Sequence, residues 1–192
     1  MNNSKLVLTK LISILLFVGM SIGSLSASAA DRTNLDNDIH SAIKLLLETS
    51  PAAKELANTA KGALVFPNVT KAGFMIGVQY GQGALVRRRA DGDGYYIAAY
   101  YSLSAASYGF QAGAQSFGYV MALMTDRAVE QVEDSLGWEL GVGPSIVVVD
   151  AGTAKTLTTT TAKKDVYAFT FGQKGLMAGL GLQGSKITRL AK

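Results

Sequence analysis

Three consecutive arginines, Arg87, Arg88 and Arg89, form the densest run of chemically specific side chains in this sequence. They stand just ahead of Asp91-Gly92-Asp93-Gly94, a turn signal, so their guanidinium groups fall at a strand end or loop edge. Guanidinium grips phosphate in a bidentate manner. Basic residues near an anionic membrane surface contribute about 1 kcal/mol each. Catalytic chemistry is poorly supplied by comparison. The chain has no cysteine and one histidine, His40, which flanks the apolar helix positions Ile39 and Ala42. Disulfides, thiol chemistry and Cys/His zinc sites are therefore excluded. Gly179, Gly181 and Gly184 have the G-x-G-x-x-G spacing, but the eight residues after them leave no room for a βαβ unit. Asp91 and Asp93 lack the further oxygen ligands of a calcium loop. Glu130, Glu133 and Asp134 read as a solvated helix face. The chain reads as a non-enzyme with no metal and no cofactor.

Residues 1–30 have the form of a secretory signal peptide: Lys5 and Lys10, an apolar run over Leu11–Met20, and Ala27-Ser28-Ala29 as a cleavage site. Export to the periplasm or beyond is the expectation, with possible association with a membrane. Those residues hold two of the 18 basic side chains and none of the 14 acidic ones, leaving a net +2 for residues 31–192. That balance argues against nucleic acid as a partner. Residues 31–192 are long enough for one domain with a real core.

Residues 31–60 read as a helical segment. Leu35, Ile39, Ala42, Ile43, Leu46 and Leu47 recur at helical steps within Asn34–Glu48. Ser50-Pro51 then caps and starts a second helix that runs to about Ala60. Over residues 61–192 the period changes to two. Strands are expected at Ala63–Phe66, Gly73–Tyr80, Gly83–Arg88, Tyr95–Ala105, Tyr108–Phe117, Trp138–Val149, Lys155–Thr161, Asp165–Phe171 and Gly175–Ile187. Thr125 caps one inserted helix at Asp126–Ser135, and Gly172–Lys174 has the look of a hairpin turn. A weak repeat, Gly73-Phe-Met-Ile-Gly77, Gly109-Phe-Gln-Ala-Gly113 and Gly175-Leu-Met-Ala-Gly179, puts paired glycines on one strand face. Such glycines mark a curved or closely covered sheet, or a bare face open to a ligand. The expected fold is α+β: a single domain with a curved, mainly antiparallel sheet or barrel-like core, two N-terminal helices and one inserted helix.

Lys61-Gly62-Ala-Leu-Val-Phe66-Pro67, Lys71-Ala-Gly73-Phe74, Gly81-Gln82-Gly83, Gly141-Val-Gly143-Pro144 and the run Gln173–Ser185 together resemble the successive motifs of the SYLF domain family, in the family's order. The absence of an SH3 or FYVE module makes the chain similar to the secreted bacterial branch. Gln82 departs from the acidic residue expected at its position. The resemblance implies a sheet core with flanking helices and binding of anionic phospholipid through the helical region and surface basic residues. Actin binding belongs to eukaryotic cytosolic members, which makes actin an unlikely partner for an exported chain.

The leading expectation is an exported, non-catalytic domain that binds an anionic phospholipid membrane surface. Arg87, Arg88, Arg89, Lys61, Lys71, Lys174 and Lys186 are its headgroup-binding residues. An envelope protein-interaction scaffold or homo-oligomer without lipid binding is the alternative, and a small outer-membrane β-barrel the third possibility.

Overall fold

The computed structural model describes residues 29–90, 94–134, 138–139, 146–149, 163–176 and 185–191. Residues 1–28, and with them most of the expected signal peptide, lie outside that set, as do the threonine-rich segment 155–161 and the glycines 179, 181 and 184. By their contacts the residues divide into Met1–Thr33 and Asn34–Lys192. The first described element, helix α1 (Ala29–Thr49), begins five residues ahead of the expected start. Ser50 ends it, and its hydroxyl accepts a hydrogen bond from the Ala53 N–H at 3.2 Å. With Pro51 in the first turn, that cap starts helix α2 (Pro51–Ala57).

Two very long strands follow. β1 (Gly62–Arg88) and β2 (Tyr95–Leu123) pair antiparallel along nearly their whole length, in place of the several short strands expected there. Thr125 caps helix α3 (Asp126–Asp134) by accepting from the Ala128 N–H. The remaining described strands are β3 (Trp138–Glu139), β4 (Ile146–Val149), β5 (Val166–Leu176) and β6 (Lys186–Arg189). Their order is β3-β6-β2-β5-β4, with β1 on the other side of β2, and all pairs but β4–β5 are antiparallel. The fold is therefore α+β, with a curved, mostly antiparallel half-barrel.

Curvature comes from a corner. A side chain on Gly73 would lie 2.4 Å from the Gly77 Cα, so β1 turns back on itself there. Past the corner its halves pack against each other. A Cβ on Gly81 would meet Val69 Cγ2 at 2.9 Å, and one on Gly83 would meet the Val65 carbonyl oxygen at 2.1 Å. Only hydrogen fits at these positions. The repeat noted in the sequence converges here, since Gly73 pairs with Gly113 in register and Gly175 abuts Ala114 and Gln115 on the next strand. Backbone stands where a Cβ on Gly73 or Gly175 would be.

The alternation of each strand divides the core in two. Leu64, Phe66, Leu85, Tyr101, Leu103, Phe117, Tyr119 and Met121 fill the inside of the curve with Val129 and Val132 of α3. Val65, Ala84, Val86, Val120, Tyr167 and Phe169 point the other way, onto Ile39, Leu46, Ala53 and Leu56 of α1 and α2. The face that a membrane barrel would turn to lipid is covered here by helices, which corrects the barrel alternative.

Gly172–Lys174 is not a hairpin. The segments before and after it both pair with β2, and the register slips between Ser116 and Gly118. Gly172 and Gly175, at φ +61° and +95°, absorb extra residues as a bulge. Positive φ signals a tight local path but does not distinguish reversal from a bulge.

Candidate functional site

The seven basic residues singled out in the sequence do not form one surface. Lys71 is only 3% exposed and faces inward opposite Gln115. It cannot meet a headgroup from there, because the alternation that buries Val69 buries Lys71 as well. Arg87 is half-buried and bound to Glu133 of α3, with Nη1 donating to Oε1 at 3.2 Å and to Oε2 at 3.4 Å. Its charge is spent inside the fold. Lys174 is exposed on β5 beside Gly172, and Lys186 is exposed at the start of β6, pairing in register with Ser104 and Glu139. Neither adjoins the arginines. Arg88, Arg89 and Lys61 remain exposed where the ends of β1 come together. Arg88 Nη2 donates to the Ala57 carbonyl at 2.7 Å, and Lys61 Nζ lies 3.6 Å from Asp126.

Arg88 leads to a feature that sequence reasoning missed. A groove of about 690 Å³ runs along the outer side of α1 and α2, lined by His40, Ile43, Lys44, Leu47, Glu48, Pro51, Lys54 and Tyr95. It shares Ile43, Leu47 and Tyr95 with an adjoining hollow of about 320 Å³ that extends past Ala57 to Val86 and Arg88. His40, Ile43, Lys44 and Leu47 follow one another at helical steps on α1, so one flank supplies both floor and rim. The turn at Ser50 then brings Pro51 and Lys54 across from them.

The floor is apolar and half-buried, and the rim carries Lys44, Lys54 and Arg88. Glu48 is its one carboxylate among the described residues, 4.0 Å from Lys44 and well exposed. A solvated pair of that kind holds its geometry weakly. Tyr95 closes one wall. Its hydroxyl is 2.5 Å from His40 Nδ1, and the two rings stand 5.1 Å apart at 34°. Burial raises the Tyr95 phenol pKa above its usual 10, so the phenol keeps its proton beside the imidazole. The lone histidine thus fixes a wall of the groove. The clustering of Lys44, Glu48 and Lys54 around Ile43 and Leu47 was the available sequence signal, but the strand wall that makes the groove lies forty residues onward.

Among the described residues no group of three or more His, Asp or Glu side chains is placed to hold a metal. No described helix is long and apolar enough to cross a membrane.

Residues 104–191, somewhat under half of the chain, match the Ysc84 family, described as "Las17-binding protein actin regulator". The match takes in the SYLF-like motifs at 141–144 and 173–185, while those at 61–83 fall before it. A comparison with curated proteins found no match. The family description names binding and regulation, not a reaction. The description overturns two expectations. Actin was set aside because the chain was taken as exported, yet the matched family is one of actin regulators. Regulators of actin work in the cytoplasm, so periplasmic or extracellular placement, and the secreted branch with it, is withdrawn.

Proposed function

We propose that this chain is a protein-interaction domain whose docking surface is the groove between α1, α2 and Tyr95. The observation that carries it is the combination of an apolar floor, Ile43 and Leu47, with a cationic rim, Lys44, Lys54 and Arg88. An amphipathic segment with acidic residues beside its apolar stripe is the complement of such a groove. The family description makes actin, and the proteins that act on it, the first partners to test. Co-sedimentation of the full chain with actin filaments, at low and moderate salt, measures this directly. Reversing Lys44, Lys54 and Arg88 to Glu together is expected to weaken binding at least tenfold, and added salt to weaken the unmodified chain. Binding that ignores both changes, or no binding at all, counts against the groove.

A second reading, an anionic phospholipid surface, is favoured by the exposure of Arg88, Arg89 and Lys61 at one end of the fold. It predicts salt-sensitive sedimentation with anionic and not zwitterionic vesicles, abolished by Arg88→Ala with Arg89→Ala. Vesicle binding that survives those substitutions removes it.

A further inference from the structure

We infer that the corner end of the inner core binds a small free oxyanion, a phosphate or carboxylate ion, through the carboxamides of Gln79 and Gln115 beside Lys71. The inner face of the paired strands changes character as it nears the corner. Val69 stands opposite Phe117, both buried and apolar. The next inward pair is Lys71 opposite Gln115, and the one after it is Gly73 opposite Gly113. The second half of β1 brings Gln79 to the same place. Gly77 abuts Gly73 across the corner, and Gly81 abuts Val69. Gln79 lies midway between those two glycines, as Lys71 lies midway between Gly73 and Val69. Alternate strand residues share a face, so the fold sets Gln79 opposite Lys71.

Lys71, Gln79 and Gln115 are 3%, 4% and 8% exposed. Side chains this polar are rarely so buried, and when they are, their polar atoms are paired. Here the Nε2 atoms of both glutamines are buried with no hydrogen-bond partner among the described residues. Two orphaned amides, brought from β1 and β2 to one end of the core, call for an acceptor between them. The chemistry of the cluster selects the guest. Both orphaned groups are N–H donors and lysine has donors only, so the guest must supply acceptor oxygens. An ammonium in a low-dielectric interior favours negative charge beside it, and amides bond an ionised acceptor more strongly than a neutral one. No Asp or Glu occurs in β1, β2 or β5, the strands that pair at this end, so none of them brings a carboxylate of its own. Burial limits the guest to a small one. Gly73 and Gly113 lay no side chain over the end, and Gly113 is exposed, which leaves a free ion its way in.

Proton–nitrogen correlation spectra of the full chain, at 20.2 kDa, resolve the glutamine side-chain amides. Gln79→Met and Gln115→Met each assign one amide by its disappearance. Sodium phosphate and sodium acetate are titrated separately, with ionic strength held constant by sodium chloride. At least one of the two ions is expected to move both amides along a saturating curve. Gln79→Met should raise the concentration that half-saturates the Gln115 shift by about tenfold, the worth of one hydrogen bond to a charged group. The same ion should raise the urea midpoint of the unmodified chain above that in chloride, and both Met variants should lose most of the gain. Exclusion of phosphate from protein surfaces also raises stability, but it does not depend on two buried amides. A gain that survives in both variants overturns the inference. Amides that neither ion moves overturn it too, and assign their hydrogens to water. Anionic vesicles should leave both amides in place; a response to vesicles and to neither ion would overturn the free-ion site in favour of a lipid phosphate. Should a Met variant fail to fold, Gln79→Glu or Gln115→Glu, which keeps the size and removes the amide, assigns the signal instead.

Discussion

Replacing Gly83 by alanine tests the account of how β1 folds against itself. The added methyl would lie 2.1 Å from the Val65 carbonyl oxygen, 2.8 Å from the Val65 carbonyl carbon and 2.7 Å from Phe66 Cδ1. Two of those atoms are backbone and belong to a strand fixed by pairing with β2, where Val65 faces Val120 and Phe66 faces Tyr119. No side-chain rotation relieves the overlap, so the halves of β1 must separate. Overpacking a well-filled interior by one methylene costs about 1–3 kcal/mol. A contact against immobile backbone belongs at the upper end, about 3 kcal/mol. For a chain of this size each kcal/mol lowers Tm by about 2–4 °C, giving a fall of roughly 6–12 °C. Urea unfolding followed by circular dichroism measures the free energy, and a thermal scan gives Tm. Gly94→Ala is the control. It has φ +78° and open space around its Cβ, so only backbone strain of about 1 kcal/mol applies. A Gly83→Ala protein within 0.5 kcal/mol of the parent, or no worse than Gly94→Ala, would refute the close packing of the two halves of β1.

Two further outcomes follow from buried polar groups. The Nε2 atoms of Gln79 and Gln115 are buried without a hydrogen-bond partner. Gln79→Met, which keeps the volume and removes the unpaired donor, is expected to leave stability unchanged or raise it by about 1 kcal/mol in urea unfolding. A loss of more than 1 kcal/mol would mean the amide is bonded after all. Burial also raises the phenol pKa of Tyr119, well above the usual 10. The folded chain then holds that proton after the unfolded chain has lost it. Stability is complete below pH 10 and falls as pH rises beyond it, by up to about 1.4 kcal/mol per pH unit for this group. Unfolding free energies at pH 8, 10 and 11 should show the decline, and Tyr119→Phe should flatten it. A decline unchanged in that variant would assign it to other groups, among them Tyr101, whose pKa burial and Glu133 also raise while Arg189 lowers it.

Much of the fold is local in origin, and that part was legible. Ser50 and Thr125 cap the helices they were expected to cap, since a hydroxyl one turn from free N–H groups acts over three residues. The change from a helical period to an alternating one near residue 61 marks the passage from helices to sheet. Contacts between distant residues were not legible. Strand breaks placed around Gly73–Gly83 are a corner and a crossing inside one long strand, because glycine reports close approach without naming what approaches. Lys71 was counted as a surface cation and is buried, since its side of the strand depends on register with β2. Arg87 was grouped with Arg88 and Arg89, yet Glu133, forty-six residues away, takes its charge.

Period, capping and composition act within a few residues, and they alone fix the α+β class, the helix caps and the lack of thiols. Long-range packing sets which cations stay at the surface, lets α1, α2 and Tyr95 enclose a groove, and leaves apolar side chains exposed at the corner of β1. Each of these depends on which face of a strand meets which neighbour. One residue of register reverses every side chain, and long-range packing alone sets that register.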